Sequence, residues 1–139
     1  TLEGLLMVIK NNKYYEGFEG EIEIDLIYKK NGVEIERLEI WNGYFSALLT
    51  GMLQLGTEPI GILHEYNLRE GWYEDENPWK IPDIAQAITQ FSNYSESNFS
   101  EEERPGKLLL SSLLKVLESI IQFLEKAKKN CGEVYIEYL

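Results

Sequence analysis

The sequence predicts an α+β fold in which helices pack on one face of an antiparallel sheet that contains a β-hairpin. Three observations favour this class. Residues 21–28 alternate acidic and apolar side chains, residues 107–129 carry a wide apolar stripe at helical spacing, and residues 133–139 alternate again. The long C-terminal helix is therefore followed by a terminal strand. Because 139 residues suffice for one ordinary core, we expect residues 1–139 to form a single compact domain.

The first alternating segment has one apolar and one acidic face, which predicts a strand with a buried side and a wet side. Asn31-Gly32 then predicts a two-residue hairpin turn. Uninterrupted pairing from this turn would set Asp25 against Leu38, whereas one extra residue near Glu36-Arg37 restores the match of Leu26 to Leu38. We therefore predict a β-bulge there, the alternative being that the strand ends at that point. The predicted core-facing residues are Ile24, Leu26, Tyr28, Ile35, Leu38 and Ile40.

The middle of the chain predicts a buried helix and a third strand. Asn42 is the predicted N-cap of the helix, Gly51 allows close packing, and Gly56 is the predicted C-terminal stop. Residues 57–59, which end in Pro59, are predicted to interrupt the secondary structure. Residues 60–66 alternate in side-chain size and polarity, which predicts a strand that carries His64, and a turn follows at residues 67–71.

The C-terminal half predicts two helices separated by a loop. Asp83 is the predicted N-cap of the first, which has an apolar face formed by Ile84, Ala87, Ile88 and Phe91. Residues 92–106 are rich in Ser, Asn and Glu, which predicts a mobile surface loop. The helix over residues 107–129 should be the central packing helix, and residues 130–132 should end it.

The charge of the chain restricts the classes of partner. Thirteen Lys and Arg face 24 Asp and Glu, which gives a formal net charge of −11. This charge repels nucleic acid and anionic lipid and attracts basic surfaces. No segment approaches the roughly 18 consecutive apolar residues of a membrane span. We therefore expect a cytoplasmic protein that contacts neither nucleic acid nor membrane directly.

Residues suited to catalysis or to metal binding are scarce. His64 and Cys131 are the only histidine and cysteine, and Cys131 follows a helix C-terminus, where the helix dipole does not favour the thiolate that a nucleophile requires. One histidine and one cysteine do not make a structural zinc site. The chain has no glycine-rich phosphate loop. We predict no catalytic residue, no metal site, no cofactor and no enzymatic activity.

Three successive carboxylates, Glu74 to Glu76, lie among three large aromatic side chains between residues 70 and 79. Aromatic side chains supply rigid contact area and clustered carboxylates attract Lys and Arg, so this segment predicts a loop that binds a basic partner. The alternative is a solvated acidic loop whose tryptophans enter the core of the domain. The predicted partner-binding residues are Glu70, Trp72, Tyr73, Glu74, Asp75 and Glu76.

The run Gly71-Trp72-Tyr73-Glu74, followed by Pro78-Trp79-Lys80-Ile81-Pro82-Asp83-Ile84 in a small acidic α+β chain, resembles bacterial immunity proteins. These proteins neutralise polymorphic toxins or contact-dependent growth-inhibition toxins. The similarity covers residues 72–91. The resemblance implies stoichiometric inhibition, in which an acidic surface occludes the cationic active site or substrate groove of a cognate toxin, often a nuclease.

The sequence therefore leaves two hypotheses about function. The first is an immunity protein that binds and neutralises a basic toxin through an acidic surface. The alternative is a small intracellular enzyme or ligand-binding domain that uses carboxylates near His64. A convex acidic face with exposed aromatic side chains favours the first, and a deep pocket around His64 favours the second.

Overall fold

The computed structural model describes residues 7–53, 58–69 and 76–139. Within these ranges the chain forms five strands, four α-helices and one short 3-10 helix. The strands are β1 (Ile9–Tyr14), β2 (Glu23–Lys30), β3 (Val33–Trp41), β4 (Trp79–Lys80) and β5 (Glu133–Tyr138). The α-helices are α1 (Asn42–Met52), α2 (Gly61–Arg69), α3 (Ile84–Ser92) and α4 (Lys107–Lys129), and the 3-10 helix Glu96–Asn98 lies between α3 and α4.

The strands form one sheet in the order β1-β3-β2-β5-β4, and this architecture confirms the predicted α+β class. The pairs β2-β3, β2-β5 and β4-β5 are antiparallel, while β1 pairs with β3 in parallel. The terminal strand β5 lies between β2 and β4, so the last residues of the chain belong to the interior of the sheet. Strands β1 and β4 were not predicted from the sequence.

The core lies between one face of the sheet and the helices. Inward-facing residues of β2, β3 and β5 share one buried cluster with side chains from all four α-helices. The buried residues Leu113, Val116 and Ile120 place α4 at the centre of this cluster, as its apolar stripe predicted. The opposite face of the sheet, hereafter the outer face, lies outside that cluster.

The β2-β3 hairpin contains the predicted bulge, one residue earlier than expected. Asn31 and Gly32 have φ angles of 53° and 78°, which are the left-handed values that a type I′ turn requires. Tyr28 pairs with Glu36 and Lys29 with Glu34, so the extra residue is Ile35. Beyond the bulge, Leu26 pairs with Leu38 and Ile24 with Ile40, as predicted. The slip lets both strands bury their apolar sides together.

The prediction of a third strand at residues 60–66 is wrong, because Gly61–Arg69 is helix α2. Ile62, Leu63 and Tyr66 are buried while Ile60 and His64 are exposed. The spacings between these buried residues, one, three and four positions, are those of one face of a helix. The alternation of side-chain size along the segment therefore did not indicate a strand. The predicted turn at residues 67–71 overlaps the end of this helix, and its remainder lies outside the described residues.

The start of α1 differs by one residue from the prediction. The N-cap is Trp41, which makes no side-chain capping hydrogen bond, and Asn42 is the first helical residue. The predicted stop at Gly56 lies outside the described residues. The prediction for α3 is confirmed, because the Asp83 carboxylate accepts a hydrogen bond of 3.0 Å from the backbone N–H of Gln86.

The prediction of a mobile surface loop at residues 92–106 is wrong about the surface position of part of the segment, because that part packs into the core. Phe99 is buried and Tyr94 lies against it with ring centroids 6.0 Å apart. Asn98 donates a side-chain hydrogen bond of 2.8 Å to the carbonyl of Gly51. The prediction for Gly51 is confirmed, because a Cβ there would lie 2.4 Å from the Tyr94 ring.

Helix α4 ends in a Schellman motif. The N–H of Gly132 bonds to the carbonyl of Ala127, the N–H of Cys131 bonds to the carbonyl of Lys128, and Cys131 has a φ of 56°. Cys131 is thus a helix-end residue. Among the helices described here, α4 included, none combines the length and the apolar character that crossing a bilayer requires.

Candidate functional site

The outer face of the sheet carries side chains in ordered cross-strand rows. Asp25 on β2 pairs with Glu39 on β3 and with Glu137 on β5, so three carboxylates stand side by side. We call Glu39, Asp25 and Glu137 the acidic row. Glu23 lies on the same face two residues before Asp25 and pairs with Trp41. Like charges directly opposite each other destabilise a sheet, so this row is a costly arrangement.

One guanidinium compensates part of this charge. Arg37 donates hydrogen bonds of 2.7 Å to Asp25 Oδ2 and to Glu137 Oε1, and it binds both carboxylate oxygens of Glu34 at 2.8 and 3.1 Å. The hydrogen bonds to these carboxylates raise the pKa of Arg37. The hydrogen bonds that Glu34 accepts from Arg37 lower the pKa of Glu34. Within the part of the chain that the structure describes, Glu23 and Glu39 have no ion pair with a cation.

The prediction of a wet outer side for β2 is wrong at its centre. Asp25 and Ile27 are each only 1% exposed, although both point away from the helices. Burial raises the pKa of Asp25, whereas hydrogen bonds from Glu23 and Arg37 oppose that rise. Arg37 shields this position from water because it reaches across from β3 to the row on β5.

Glu23 has the most perturbed carboxyl on this face. Its burial raises its pKa to about 8, and the neighbouring Asp25 and Glu39 add to the rise. The two carboxyls of Glu23 and Asp25 lie close enough to share a proton. One oxygen from each of Glu23, Asp25 and Glu39 lies within 4.8 Å of the others. This end of the outer face therefore concentrates negative charge that Arg37 does not neutralise.

An aromatic cluster adjoins the acidic row. The rings of Phe18 and Trp41 are stacked with centroids 4.1 Å apart, and the ring of Tyr44 meets both edge-on. All three side chains are partly exposed. A Cβ at Gly43 would lie 2.3 Å from the Trp41 ring, so glycine is required for Trp41 to lie in this position. We call Phe18, Trp41 and Tyr44 the aromatic cluster.

Exposed acids surround the aromatic cluster. Glu21 accepts a hydrogen bond of 3.3 Å from the indole N–H of Trp41. Glu19 is exposed and accepts a hydrogen bond from the backbone N–H of Gly17, which together with its own backbone lowers its pKa. The rim of the cluster is therefore negatively charged at neutral pH, as a surface that attracts a basic partner requires.

The predicted binding loop falls mostly beyond the described residues. Glu70, Trp72, Tyr73, Glu74 and Asp75 lie outside them, and Glu76 is exposed. Their assignment as partner-binding residues stays a prediction.

The residues that follow this loop are anchored to the sheet. Asn77 donates a hydrogen bond of 2.9 Å to the carbonyl of Tyr138 and accepts one of 2.9 Å from its N–H. Tyr138 pairs with Ile24, which lies between Glu23 and Asp25. Trp79 is a core residue, only 1% exposed, as the alternative interpretation of this segment expected for its tryptophans.

His64 does not border any of the cavities that are lined by described residues. His64 is exposed on α2, whereas the neighbouring cavity of about 150 Å³ between α1, α2 and α3 is bordered by other side chains. These residues are Met52, Leu53, Glu58, Ile60, Leu63, Gln90 and Asn93. Cys131 is exposed at the end of α4. A ligand-binding or enzymatic role centred on His64 stays a prediction.

Sequence reasoning missed the acidic row and the aromatic cluster. One signal was present, because Glu23 and Asp25 share one side of β2, and Glu39 and Glu137 occupy the corresponding side of the other strands. Combining them requires the order of the strands, which the sequence did not give. Comparisons with protein-family models, with curated proteins and with solved structures found no match for this chain. The resemblance to immunity proteins therefore stays a prediction.

Proposed function

We propose that this chain is an immunity protein, a non-enzymatic inhibitor that binds and neutralises a basic cognate toxin through an acidic surface. The observation that carries this proposal is the acidic row on the outer face, bordered by the aromatic cluster. The toxin class favoured by the charge is a nuclease, because a groove that holds nucleic acid is cationic.

The distribution of charge supports a basic protein partner. The chain has a net charge of −11, and its outer face aligns three carboxylates in one row with Glu23 beside them. Arg37 engages two carboxylates of the row, while Glu39 has no cationic partner among the described side chains. Lys or Arg side chains of a partner would supply the missing positive charge and would be steered toward this face.

The aromatic cluster supports binding of a protein rather than of a small ion alone. Interface hot spots are enriched in Trp and Tyr because these side chains bury large areas at a low entropic cost. Trp41 pairs with Glu23 at the end of the acidic face, so an aromatic anchor and the carboxylates belong to one continuous surface. The surface thus combines the two residue classes that also define the predicted loop at residues 70–76.

Inhibition by this surface needs no chemical step. A toxin whose active site is a cationic groove would bind the acidic face in place of its substrate, so a one-to-one complex would block access to that groove.

The proposal is tested with the protein encoded immediately upstream, because an immunity gene normally follows its toxin gene. The two proteins are co-expressed, growth is scored, and the purified mixture is analysed by size-exclusion chromatography with light scattering. We expect the chain to restore growth and to form a one-to-one complex.

A test variant and a matched control variant each reverse one charge. Glu21→Lys changes an exposed acid that contacts Trp41, and Glu125→Lys changes an exposed acid on α4. We expect Glu21→Lys to weaken the complex at least tenfold and Glu125→Lys to change it less than threefold. Growth arrest despite expression of the folded chain, together with the absence of a complex, would refute the proposed function.

A further inference from the structure

The outer face contains a buried carboxylate oxygen whose bonding is incomplete. Asp25 is 1% exposed, and its Oδ2 accepts the hydrogen bond of 2.7 Å from Arg37. Its Oδ1 is buried and accepts no hydrogen bond from an N–H or hydroxyl donor of the described residues, so either a proton shared with Glu23 or a bound cation must compensate its charge. A buried acceptor without a partner is unfavourable, and the penalty is larger for a charged group.

The two nearest carboxylates converge on the same place. Glu23 precedes Asp25 by two residues on β2, and Glu39 pairs with Asp25 across the β2-β3 ladder. One oxygen of each of the three side chains lies within 4.8 Å of the other two. Because neighbouring strands of one ladder hold all three side chains, the sheet fixes the spacing of their Cβ atoms.

We propose that Glu23, Asp25 and Glu39 form a binding site for a divalent cation, with Ca²⁺ as the best-fitting ion. Ca²⁺ binds carboxylate oxygens at roughly 2.3–2.6 Å, so oxygens on opposite sides of the ion are about 4.6–5.2 Å apart. The observed separations fit within that sphere. Mg²⁺ requires near-ideal octahedral geometry and loses its water reluctantly, whereas Ca²⁺ accepts irregular sets of carboxylate and water oxygens such as these.

The environment of the three oxygens suits a partly hydrated cation. Arg37 occupies Asp25 Oδ2, so the ion would bind at Oδ1 and would displace the proton that Glu23 and Asp25 can share. Glu23 and Glu39 are only partly buried, so water can complete the coordination shell on the solvent side. A bound cation would connect β2 to β3 and reduce the repulsion within the acidic row. This inference does not depend on the proposed toxin partner.

Terbium luminescence tests the site in the whole chain. Tb³⁺ occupies calcium sites, and Trp41, which pairs with Glu23, is placed to transfer excitation energy to it. We expect saturable one-to-one emission that Ca²⁺ reverses by competition. Glu39→Gln should weaken Tb³⁺ binding at least tenfold, whereas the charge-matched control Glu125→Gln on α4 should change it less than twofold.

Thermal unfolding provides a second measurement on the same variants. Wild type and Glu125→Gln should unfold at a higher temperature in Ca²⁺ than in EGTA, while Glu39→Gln and Glu23→Gln should lose most of that difference. Far-ultraviolet circular dichroism verifies that each variant is folded. The proposal is overturned by wild-type protein that shows neither saturable emission nor a Ca²⁺-dependent melting shift. Equal losses in Glu39→Gln and Glu125→Gln would also overturn it, because they would indicate a diffuse ion atmosphere.

Discussion

Asp25 determines the character of the outer face because it is a buried carboxylate between two other carboxylates. Its neighbours across the ladder are Glu39 and Glu137, and Arg37 engages both Asp25 and Glu137. The alternation of β2 predicted that Asp25 faces water. Local alternation assigns a residue to a face, but the burial of that face depends on what the adjacent strands place over it.

The pKa of Glu23 leads to a prediction about pH. Because its folded-state pKa of about 8 lies above the ordinary value of 4.5, Glu23 favours folding most at low pH, and this contribution is lost as the pH rises through about 8. Without divalent cations, we expect Glu23→Gln to remove part of the loss of stability between about pH 5 and about pH 9. After allowance for partial exposure, this part is on the order of 2 kcal/mol.

Urea unfolding at several pH values, with EGTA present, measures the effect. The difference between Glu23→Gln and wild type is the relevant quantity, because the whole acidic chain also changes charge in this range. Glu125→Gln serves as the control and should follow wild type. Parallel curves for Glu23→Gln and wild type would show that Glu23 does not titrate differently in the folded state.

Cys131 gives a second prediction at a single residue. It occupies the position after the helix C-cap with a φ of 56°, where glycine is the favoured residue and a Cβ is strained. Its side chain is exposed, so little packing is lost on truncation. We expect Cys131→Gly to stabilise the protein by about 0.5–1 kcal/mol in urea unfolding, and Cys131→Ala to stay within about 0.3 kcal/mol of wild type. A destabilised glycine variant would contradict the assigned backbone conformation.

At the scale of secondary-structure elements, the elements that are determined by residues close together in the chain were predictable from the sequence. The hairpin turn, the capped start of α3 and the whole of α4 depend on residues close together in the chain. The bulge was also predictable, because only a slipped register buries the apolar sides of both strands, although the extra residue is Ile35.

Elements that depend on distant contacts were not predictable. Residues 60–66 are short and their apolar side chains fit two periods, so the packing of Ile62, Leu63 and Tyr66 in the core decides for a helix. The edge strands β1 and β4 exist through pairing with β3 and β5, which lie far away in the sequence. The polar composition of residues 92–106 likewise concealed the buried Phe99.

The contact of α1 with the segment that follows α3 yields a prediction at this scale. A Cβ at Gly51 would lie 2.4 Å from Tyr94 and 3.1 Å from Phe99, so Gly51→Ala must displace these rings. We expect a loss of about 1–3 kcal/mol in unfolding free energy, although alanine favours helix more than glycine does. Gly106→Ala is the control for an added Cβ without a clash, because no atom lies within 4 Å of that Cβ. Gly106 is the N-cap of α4, so this variant should lose less than about 1 kcal/mol. Equal stability of both variants would refute close packing at Gly51.

At the scale of the whole molecule, composition predicted the kind of surface better than its position. The excess of acids predicts a basic partner, the combination of acidic and aromatic residues predicts a binding surface, and both stay predictions. The described structure offers that combination on the outer face, where Glu23, Asp25, Glu39 and Trp41 come together from β2 and β3. Their proximity arises from strand pairing and bulge register, neither of which any single segment of sequence contains.

Association kinetics with the toxin that we propose is encoded upstream show whether the outer face binds the partner. Two variants separate the two candidate surfaces, namely Glu19→Lys/Glu21→Lys beside the aromatic cluster and Glu74→Lys/Asp75→Lys/Glu76→Lys in the predicted loop. Glu118→Lys/Glu125→Lys on α4 is the control. Stopped-flow measurements at increasing salt concentration give the association rate for each.

We expect Glu19→Lys/Glu21→Lys to lower the association rate on the order of tenfold at low salt. Its effect on the dissociation rate should be smaller, because exposed charges mainly steer the encounter. Trp41→Ala should instead accelerate dissociation, at a cost of about 2 kcal/mol in binding free energy. The control should associate within about threefold of wild type. Association that is equally insensitive to Glu19→Lys/Glu21→Lys and to the control, with unchanged dissociation of Trp41→Ala, would contradict the claim that the outer face and its aromatic cluster bind the partner.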